Sequence, residues 1–340
     1  MNRTTYGLDV AKRVFQMYWV EVNTGEIVNR RFGRPELIEF LSKRPAGRVA
    51  LEACGSGHWW ARKIRVLGHE AVLLHAKFIR RFVQTNETDA ADARAIWTAV
   101  HQPGMRTVAV KSEEQQAMLG LHRVRTQLTK FRTMQVYQLR SLFYEFGVTL
   151  RTGRQAGLAE LQRRMAEIEG AVPEMLMQAL REQLTRIHSL DEQISVLERR
   201  IAAWPKQEAS SRALMAIPGT GPLTASALVA TVGDIGTFKS GRELASFIGL
   251  VPQQRGTGGK VQLGKISKRG DPYLRTLLIH GARAVLFGSK HSNRWAEQLR
   301  SRRHANIAVV GLANKMARTA WAVLAHGRAY QPGYISTRSA

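Results

Sequence analysis

Tyr6-Gly7-Leu8-Asp9-Val10 is a short apolar stretch with one carboxylate set inside it, and its reading decides the architecture of the first hundred residues. It predicts a strand. Val14 to Val22 follows with the apolar and β-branched content of a second strand, and the Asn23-Thr24-Gly25 turn leads to a third near Ile27 to Phe32, which makes a meander. Pro35 suits the first turn of a helix with Leu37, Ile38 and Leu41 on one face. Arg48-Val49-Ala50-Leu51-Glu52 reads as a fourth strand, Gly55-Ser56-Gly57 opens a helix through Leu67, and Ala71 to Leu74 reads as a fifth strand. The fold class expected here is α/β.

Three strands in a meander, then helix, strand, helix, strand, is the order of the RNase H-like fold. There the first and fourth strands are neighbours, so Asp9 and Glu52 can converge. Asp89 and Asp92, in Thr88-Asp89-Ala90-Ala91-Asp92-Ala93, stand three residues apart at a helix start. That spacing places both on one face, near the positive end of the helix dipole. One of them could simply be an N-cap, but that role is closed to Asp9, embedded in Gly-Leu-Asp-Val-Ala-Lys.

Lys plus Arg number 51 against 26 Asp plus Glu, a formal charge of +25. A charge that large predicts attraction to polyanions, and the bland reading is a packing protein of ribosomal or chromatin type. Phosphodiesters repel carboxylates, so four of them in a basic chain make sense when a cation lies between. Hard oxygen ligands suit Mg²⁺, and one or two ions on Asp9, Glu52, Asp89 and Asp92 could serve an in-line displacement at phosphorus. The single Cys54 allows no internal disulfide, and the ten histidines lack zinc-ligand spacing. With no signal-like N-terminus and no unbroken apolar run of membrane length, a cytoplasmic, nucleoid-associated protein with no membrane partner is expected.

From about residue 113 the period becomes helical. After a loop from Gly147 to Gly157 and Pro173, the residues Leu180, Leu184, Ile187, Leu190, Ile194, Leu197 and Ile201 repeat at spacings of 4, 3, 3, 4, 3 and 4. That fits a coiled coil or helical hairpin acting as spacer and oligomerisation surface, or equally two core helices of one domain. Trp204-Pro205 is expected to end the run. Pro218-Gly219-Thr220-Gly221-Pro222 between two helical stretches resembles a helix-hairpin-helix, in which glycines such as Gly219 and Gly221 let backbone N–H groups approach a phosphate. The expected organisation is an acidic catalytic domain over 1–108, a helical connector over 109–207, a mostly α-helical C-terminal domain over 208–330 and a tail over 331–340.

Four pieces resemble the DEDD transposases of insertion sequences whose recombinases are guided by a bridge RNA. They are Gly7-Leu8-Asp9-Val10-Ala11-Lys12, Leu51-Glu52-Ala53-Cys54-Gly55, Thr88 to Ala93, and the block from Gly249-Leu250-Val251-Pro252 through Ser267-Lys268-Arg269-Gly270-Asp271-Pro272-Tyr273-Leu274-Arg275. The resemblance implies a RuvC-like N-terminal domain, a coiled-coil connector and a C-terminal transposase domain that together complete one active site. It implies Mg²⁺ on the acidic quartet and a C-terminal serine that attacks DNA to form a covalent intermediate. As partners it implies the element's ends, a target DNA, a non-coding bridge RNA and further copies, as a tetramer assembled from dimers. This chain departs from the pattern at the nucleophile: the hydroxyl before a glycine in Gln253-Gln254-Arg255-Gly256-Thr257-Gly258-Gly259-Lys260 belongs to Thr257, with Ser267 as the nearest serine. Lys12, Lys260, Lys265, Lys268, Arg269 and Arg275 are the expected nucleic-acid contacts. A RuvC- or RNase H-like nuclease using water, and a non-catalytic nucleic-acid scaffold, are the alternatives.

Overall fold

The computed structural model describes residues 3–83, 88–288 and 294–332; the tail beyond residue 332 lies outside them. The chain divides into two compact units, one of residues 1–115 with 232–239, the other of residues 116–231 with 240–340.

The first unit is an α/β layer. Its elements are β1 (Thr5–Val10), β2 (Val14–Val20), β3 (Ile27–Gly33), α1 (Arg34–Ser42), β4 (Arg48–Glu52), α2 (Gly57–Val66), β5 (Glu70–Leu74), α3 (Ala76–Ile79), α4 (Asp89–Val100) and β6 (Thr107–Val108). They form one six-stranded mixed sheet of order β3-β2-β1-β4-β5-β6. β1 runs antiparallel to β2 and parallel to β4, which is parallel to β5. The strands expected from sequence are all present, β2 stopping two residues short of Val22. The two-residue β6, antiparallel to β5, is too short to leave a periodic signal.

Alternation along the strands sorts the two faces. Tyr6, Leu8, Phe15, Met17, Trp19, Val49 and Leu51 turn to a core with Trp60 and Ile64 of α2 and Leu37 and Leu41 of α1. Gly7 and Ala50, register partners in β1 and β4, lie on the opposite face, where Ala50 packs with Ala95, Ile96 and Ala99 of α4. Gly7 admits α4 to this face: a Cβ there would collide with the Ala93 carbonyl oxygen and stand 2.6 Å from the Trp97 amide nitrogen. Trp97 then donates its indole N–H to the Thr5 carbonyl at 3.0 Å and stacks edge-on against Tyr18.

The second unit contains α5 (Glu113–Glu145, its first residues in the first unit), α6 (Arg154–Arg163), α7 (Met165–Ala171), α8 (Glu174–Gln207), α9 (Ala209–Met215), α10 (Pro222–Val232), α11 (Gly241–Ile248), β7 (Pro252–Thr257), β8 (Lys260–Ile266), α12 (Pro272–Phe287), α13 (Arg294–Arg300) and α14 (Ala305–His326). α5 and α8 form an antiparallel hairpin, shown by ion pairs whose numbering falls on one helix as it rises on the other: Arg125–Glu198 and Arg132–Asp191, both at 2.6 Å. On α8, Leu180, Ile187, Ile194 and Ile201 are buried at seven-residue intervals, while Leu184, Leu190 and Leu197 between them are half-buried. The seam is therefore that of a helical hairpin inside one unit.

Two sequence expectations need correction here, at Gly157 and Pro205, and α14 adds a feature that a search for unbroken apolar runs does not report. Gly157 lies within α6 rather than in the loop, which ends at Gly153 with φ 94°. α8 runs through Pro205 to Gln207; the proline removes only the N–H that would reach Ile201, two residues before the helix stops anyway. α14 is long and apolar enough to cross a membrane by length and composition. A search for an unbroken apolar run passes over it because Lys315 and Arg318 interrupt it. Its buried residues, from Ala308 to Val323, serve as the core against which α11, α12 and α13 pack.

A buried polar chain joins three helices of this unit. His122, 2% exposed, contacts the Tyr273 hydroxyl at 2.9 Å through Nδ1 and the Ser226 hydroxyl at 3.0 Å through Nε2. The Ser226 hydroxyl donates its proton to the Pro222 carbonyl at 2.6 Å, so it accepts from Nε2–H, and Nδ1 accepts from Tyr273. Burial, with Arg125 adding to it, pushes the imidazole down to about 4. A depressed histidine stabilises the fold above its unfolded value near 6.5 and loses that contribution as pH falls toward 4. The stability advantage of wild type over His122→Gln should therefore shrink by about 3 kcal/mol between pH 7 and pH 4. Urea unfolding at a series of pH values measures it, and a pH-independent difference would contradict the buried neutral tautomer.

Candidate active site

Asp9 and Glu52 each follow directly on the last register pair of β1 and β4, Leu8 with Leu51. Two residues on from Gly7 and Ala50, both carboxylates stand on the face that carries α4. Thr88, not an aspartate, caps α4: its side chain accepts from the Ala91 N–H at 3.2 Å. Asp89 and Asp92 are thus not spent on capping, and they occupy the first turn of the helix that Gly7 seats against β1. Gly57 makes a similar close approach, since a Cβ there would stand 2.6 Å from the Glu52 carbonyl oxygen. α2 therefore starts flush against the end of β4.

Asp9 registers the convergence. Its carboxyl is pushed up to about 6, first by burial, then by the negative fields of Asp92 and Asp89, with a smaller push from Glu52 and an opposing pull from the Val10 N–H. Among the described residues, no three His, Cys, Asp or Glu side chains are already drawn together closely enough to hold a metal ion. The two findings differ in range, since repulsion is felt over distances longer than a coordination bond. The donor set still fits a hard divalent cation, being four carboxylates, one of them held where its charge is disfavoured.

Two residues of this site escape a reading by sequence spacing. Gln16 is the register partner of Asp9 across β1 and β2 and is buried. Its amide donates to Asn29 Oδ1 at 2.5 Å, and Asn29 Nδ2 donates to the Ala90 carbonyl at 3.1 Å. This chain ties β2 and β3 to the turn of α4 that carries Asp89 and Asp92. The only hint in the sequence is one polar residue in Val14-Phe15-Gln16-Met17-Tyr18-Trp19, which becomes informative once the register with Asp9 is known. Lys12 is exposed in the turn after β1, and its carbonyl accepts from Arg34 Nε at 3.0 Å.

In the second unit Thr257 closes a β-hairpin rather than lying in an irregular loop. It pairs with Lys260 across Gly258 and Gly259, whose φ values of 57° and 80° give the type I′ turn that two glycines favour. Lys260 and Lys265 are exposed on the same hairpin. Ser267 is half-buried, its hydroxyl accepting the Arg269 N–H at 3.4 Å in a local turn. Lys268, at φ 50°, and Arg269 are exposed on the loop that packs under Gly249. Arg275 instead donates to the Ile248 carbonyl at 3.0 Å, closing the end of α11. Gly219, at φ 83°, would place a Cβ 2.7 Å from the Gly281 carbonyl oxygen, so close packing against α12 explains its glycine. Gly221 is exposed with open space beside it.

The comparisons with known proteins bear on both units. Residues 211–299 match the family model described as Transposase IS116/IS110/IS902 family. Across nearly the whole chain it is 44% identical to a probable family 20 transposase of Pseudomonas aeruginosa, covering 98% of this chain and all of the relative. This chain belongs to the IS116/IS110/IS902 transposase family. It is also 36% identical to the transposase for insertion sequence element IS1328 of Yersinia enterocolitica, over 97% of this chain and 99% of the relative. With the transposase for IS1111A of Coxiella burnetii it shares 37%, over 96% and 91%. The transposase is thus an enzyme that recombines DNA, and its family model spans the hairpin that carries Thr257.

Proposed function

We propose that this transposase cuts and joins DNA strands through a covalent protein–DNA intermediate, using Mg²⁺ held by Asp9, Glu52, Asp89 and Asp92 and the Thr257 hydroxyl as nucleophile. The observation that carries the reading is the elevated Asp9 carboxyl, set on the α4 face of the sheet beside three other carboxylates. In an otherwise strongly basic chain, such a concentration of like charge is kept at a cost unless a cation relieves it. The strand order and the parallel β1–β4–β5 core support an RNase H-like, RuvC-like reading of the first unit.

When bound, one or two Mg²⁺ ions would stabilise charge on the phosphoryl oxygens and activate the attacking hydroxyl. The protein's own contribution is geometric. Gly7 and the Gln16–Asn29–Ala90 chain fix α4, and the β1–β4 register fixes Asp9 beside Glu52. The exposed hairpin presents Thr257 on a defined strand end. Its extra methyl relative to serine crowds an in-line approach, so Thr257→Ser should react at least as fast as wild type. Lys12, Lys260, Lys265, Lys268 and Arg269 supply phosphate-neutralising charge. Resemblance to the bridge-RNA-guided recombinases adds a non-coding RNA and tetramers assembled from dimers as partners.

A nicked suicide duplex labelled next to the nick tests the chemistry. Thr257→Ala should lose the covalent adduct on a denaturing gel while retaining DNA binding. Adduct formed by Thr257→Ala would overturn the assignment of the nucleophile, and released fragments without adduct from wild type would make the enzyme a water-using nuclease.

A further inference from the structure

The register of the β7–β8 hairpin separates its side chains into two unlike faces. Thr257 pairs with Lys260 and Arg255 with Gln262, whereas Gly256 pairs with Val261 and Gln254 with Leu263. Pairs two residues apart share a face. One face therefore carries Thr257, Lys260, Arg255 and Gln262, and the other carries Val261 and Leu263. Every residue of the ribbon except Ile266 is exposed. Between Leu244 and Gly270 the chain has five cations, Arg255, Lys260, Lys265, Lys268 and Arg269, and no Asp or Glu. Arg255 and Gln262 also line, with Gln253, Lys265 and Lys268, a concavity of about 420 Å³ at the base of the ribbon.

We infer that Arg255 is a further catalytic residue, the side chain that grips the non-bridging oxygens of the phosphate attacked by Thr257. Resting on the reading of Thr257 as nucleophile, it adds a residue to which neither the sequence motifs nor the comparisons assign a role. Arg255 stands two residues before Thr257 on the same face, with Lys260 directly across from the hydroxyl and Gln262 across from the arginine. A phosphate placed at Thr257 thus meets a guanidinium, an ammonium and an amide from one side. Arginine suits that place because its planar fork offers two parallel N–H donors to two phosphate oxygens and keeps its charge at any working pH. The concavity beside it, where Arg255, Lys265 and Lys268 stand around an apolar floor of Leu263 and Ile266, offers the adjoining backbone cations along its rim.

The step balances without a further reactant. Thr257 Oγ forms a bond to phosphorus, the bond from phosphorus to one deoxyribose oxygen breaks, and the hydroxyl proton ends on that departing oxygen. The equatorial oxygens keep their negative charge throughout, and it is this charge that Arg255 neutralises as the transferring group passes between two oxygens.

The test compares two suicide duplexes, one with the natural phosphodiester at the scissile position and one with a neutral methylphosphonate there. On the natural duplex Arg255→Ala should slow adduct formation by about 10²–10³-fold, the usual cost of losing one donor to a reacting oxyanion, with duplex affinity changed less than about threefold. On the methylphosphonate duplex, wild type and Arg255→Ala should react at similar rates, because the charge that the arginine serves has been removed. Val261→Ser, on the opposite face, should match wild type on the natural duplex. A natural-duplex rate unchanged by Arg255→Ala overturns the proposal. So does a loss that the methylphosphonate fails to erase, which would make Arg255 a cation for backbone elsewhere. Thr257→Ala separates the two readings: adduct without Thr257 removes the nucleophile assignment, while the methylphosphonate comparison still reports whether Arg255 meets the scissile phosphate.

Discussion

Asp9→Asn is expected to slow strand cleavage severely and to make the metal-free protein more stable. The Asp9 carboxyl is raised to about 6, chiefly by burial and then by Asp92 and Asp89. A group whose folded value lies above its unfolded value binds its proton more tightly in the folded state. It supports the fold fully only below the unfolded value near 3.8, and the support is lost as pH rises through about 6. At pH 8 the charged carboxylate is therefore a liability. Replacing it with a neutral amide should raise stability by about 1–2 kcal/mol, a figure reduced for the solvent that still reaches this half-buried group. Activity moves the other way. On the proposed role of Asp9 as a Mg²⁺ ligand, its loss should slow cleavage by about 10³-fold or more, the rate equivalent of several kcal/mol of charge stabilisation. Melting curves with and without Mg²⁺ decide the matter. The cation should raise the melting temperature of wild type, by mass action on the folded state, and leave that of Asp9→Asn unmoved. An Asp9→Asn enzyme that is less stable at pH 8 and still responds to Mg²⁺ would remove Asp9 from the metal site.

Gly7→Ala is expected to be among the most damaging single-methyl changes in the first unit. The added Cβ would run into the Ala93 carbonyl oxygen and the Trp97 backbone, and backbone cannot turn aside as a flexible side chain can. Either α4 lifts from β1 or the strand shifts. Both break the Trp97 bond to Thr5 and carry Asp89 and Asp92 away from Asp9. Overpacking of this kind usually costs 1–3 kcal/mol and here should reach about 3 kcal/mol or more. Cleavage should fall together with the Mg²⁺-dependent rise in melting temperature. If Gly7→Ala proved as stable as wild type with an intact Mg²⁺ response, the flush seating of α4 would be wrong.

The parts legible in the sequence are those set by short periodicities. Strand β4 was readable to the residue because the short apolar run Val49-Ala50-Leu51 lies between a Pro-Gly turn region and a glycine-rich helix start. The proximity of Asp9 to Glu52, Asp89 and Asp92 was foreseeable, since Asp9 and Glu52 stand at the ends of neighbouring strands and Asp89 and Asp92 share one turn of α4. The β7–β8 hairpin was hidden by its composition: Gly256, Gly258, Gly259 and Gly264 read as loop, and its strands have no buried face to impose alternation. Gln16, Asn29 and Arg255 were hidden for a related reason. Each acquires its neighbours only through cross-strand register, which local spacing does not encode. At Gly219 the structure adds a requirement that the motif did not reveal, close packing against Gly281 far along the chain.

The first unit is not one continuous stretch of chain, since residues 232–239 belong with 1–115. On the ribosome it stays incomplete until α5, α8 and α10 have all been made, so its final piece arrives more than a hundred residues after the sheet. Natural reshuffling between related elements faces the same constraint. A single crossover near residue 115 would combine a sheet from one parent with a returning segment from another. Exchange of the whole first unit needs two breakpoints, and selection should favour recombinants in which both segments share one ancestry.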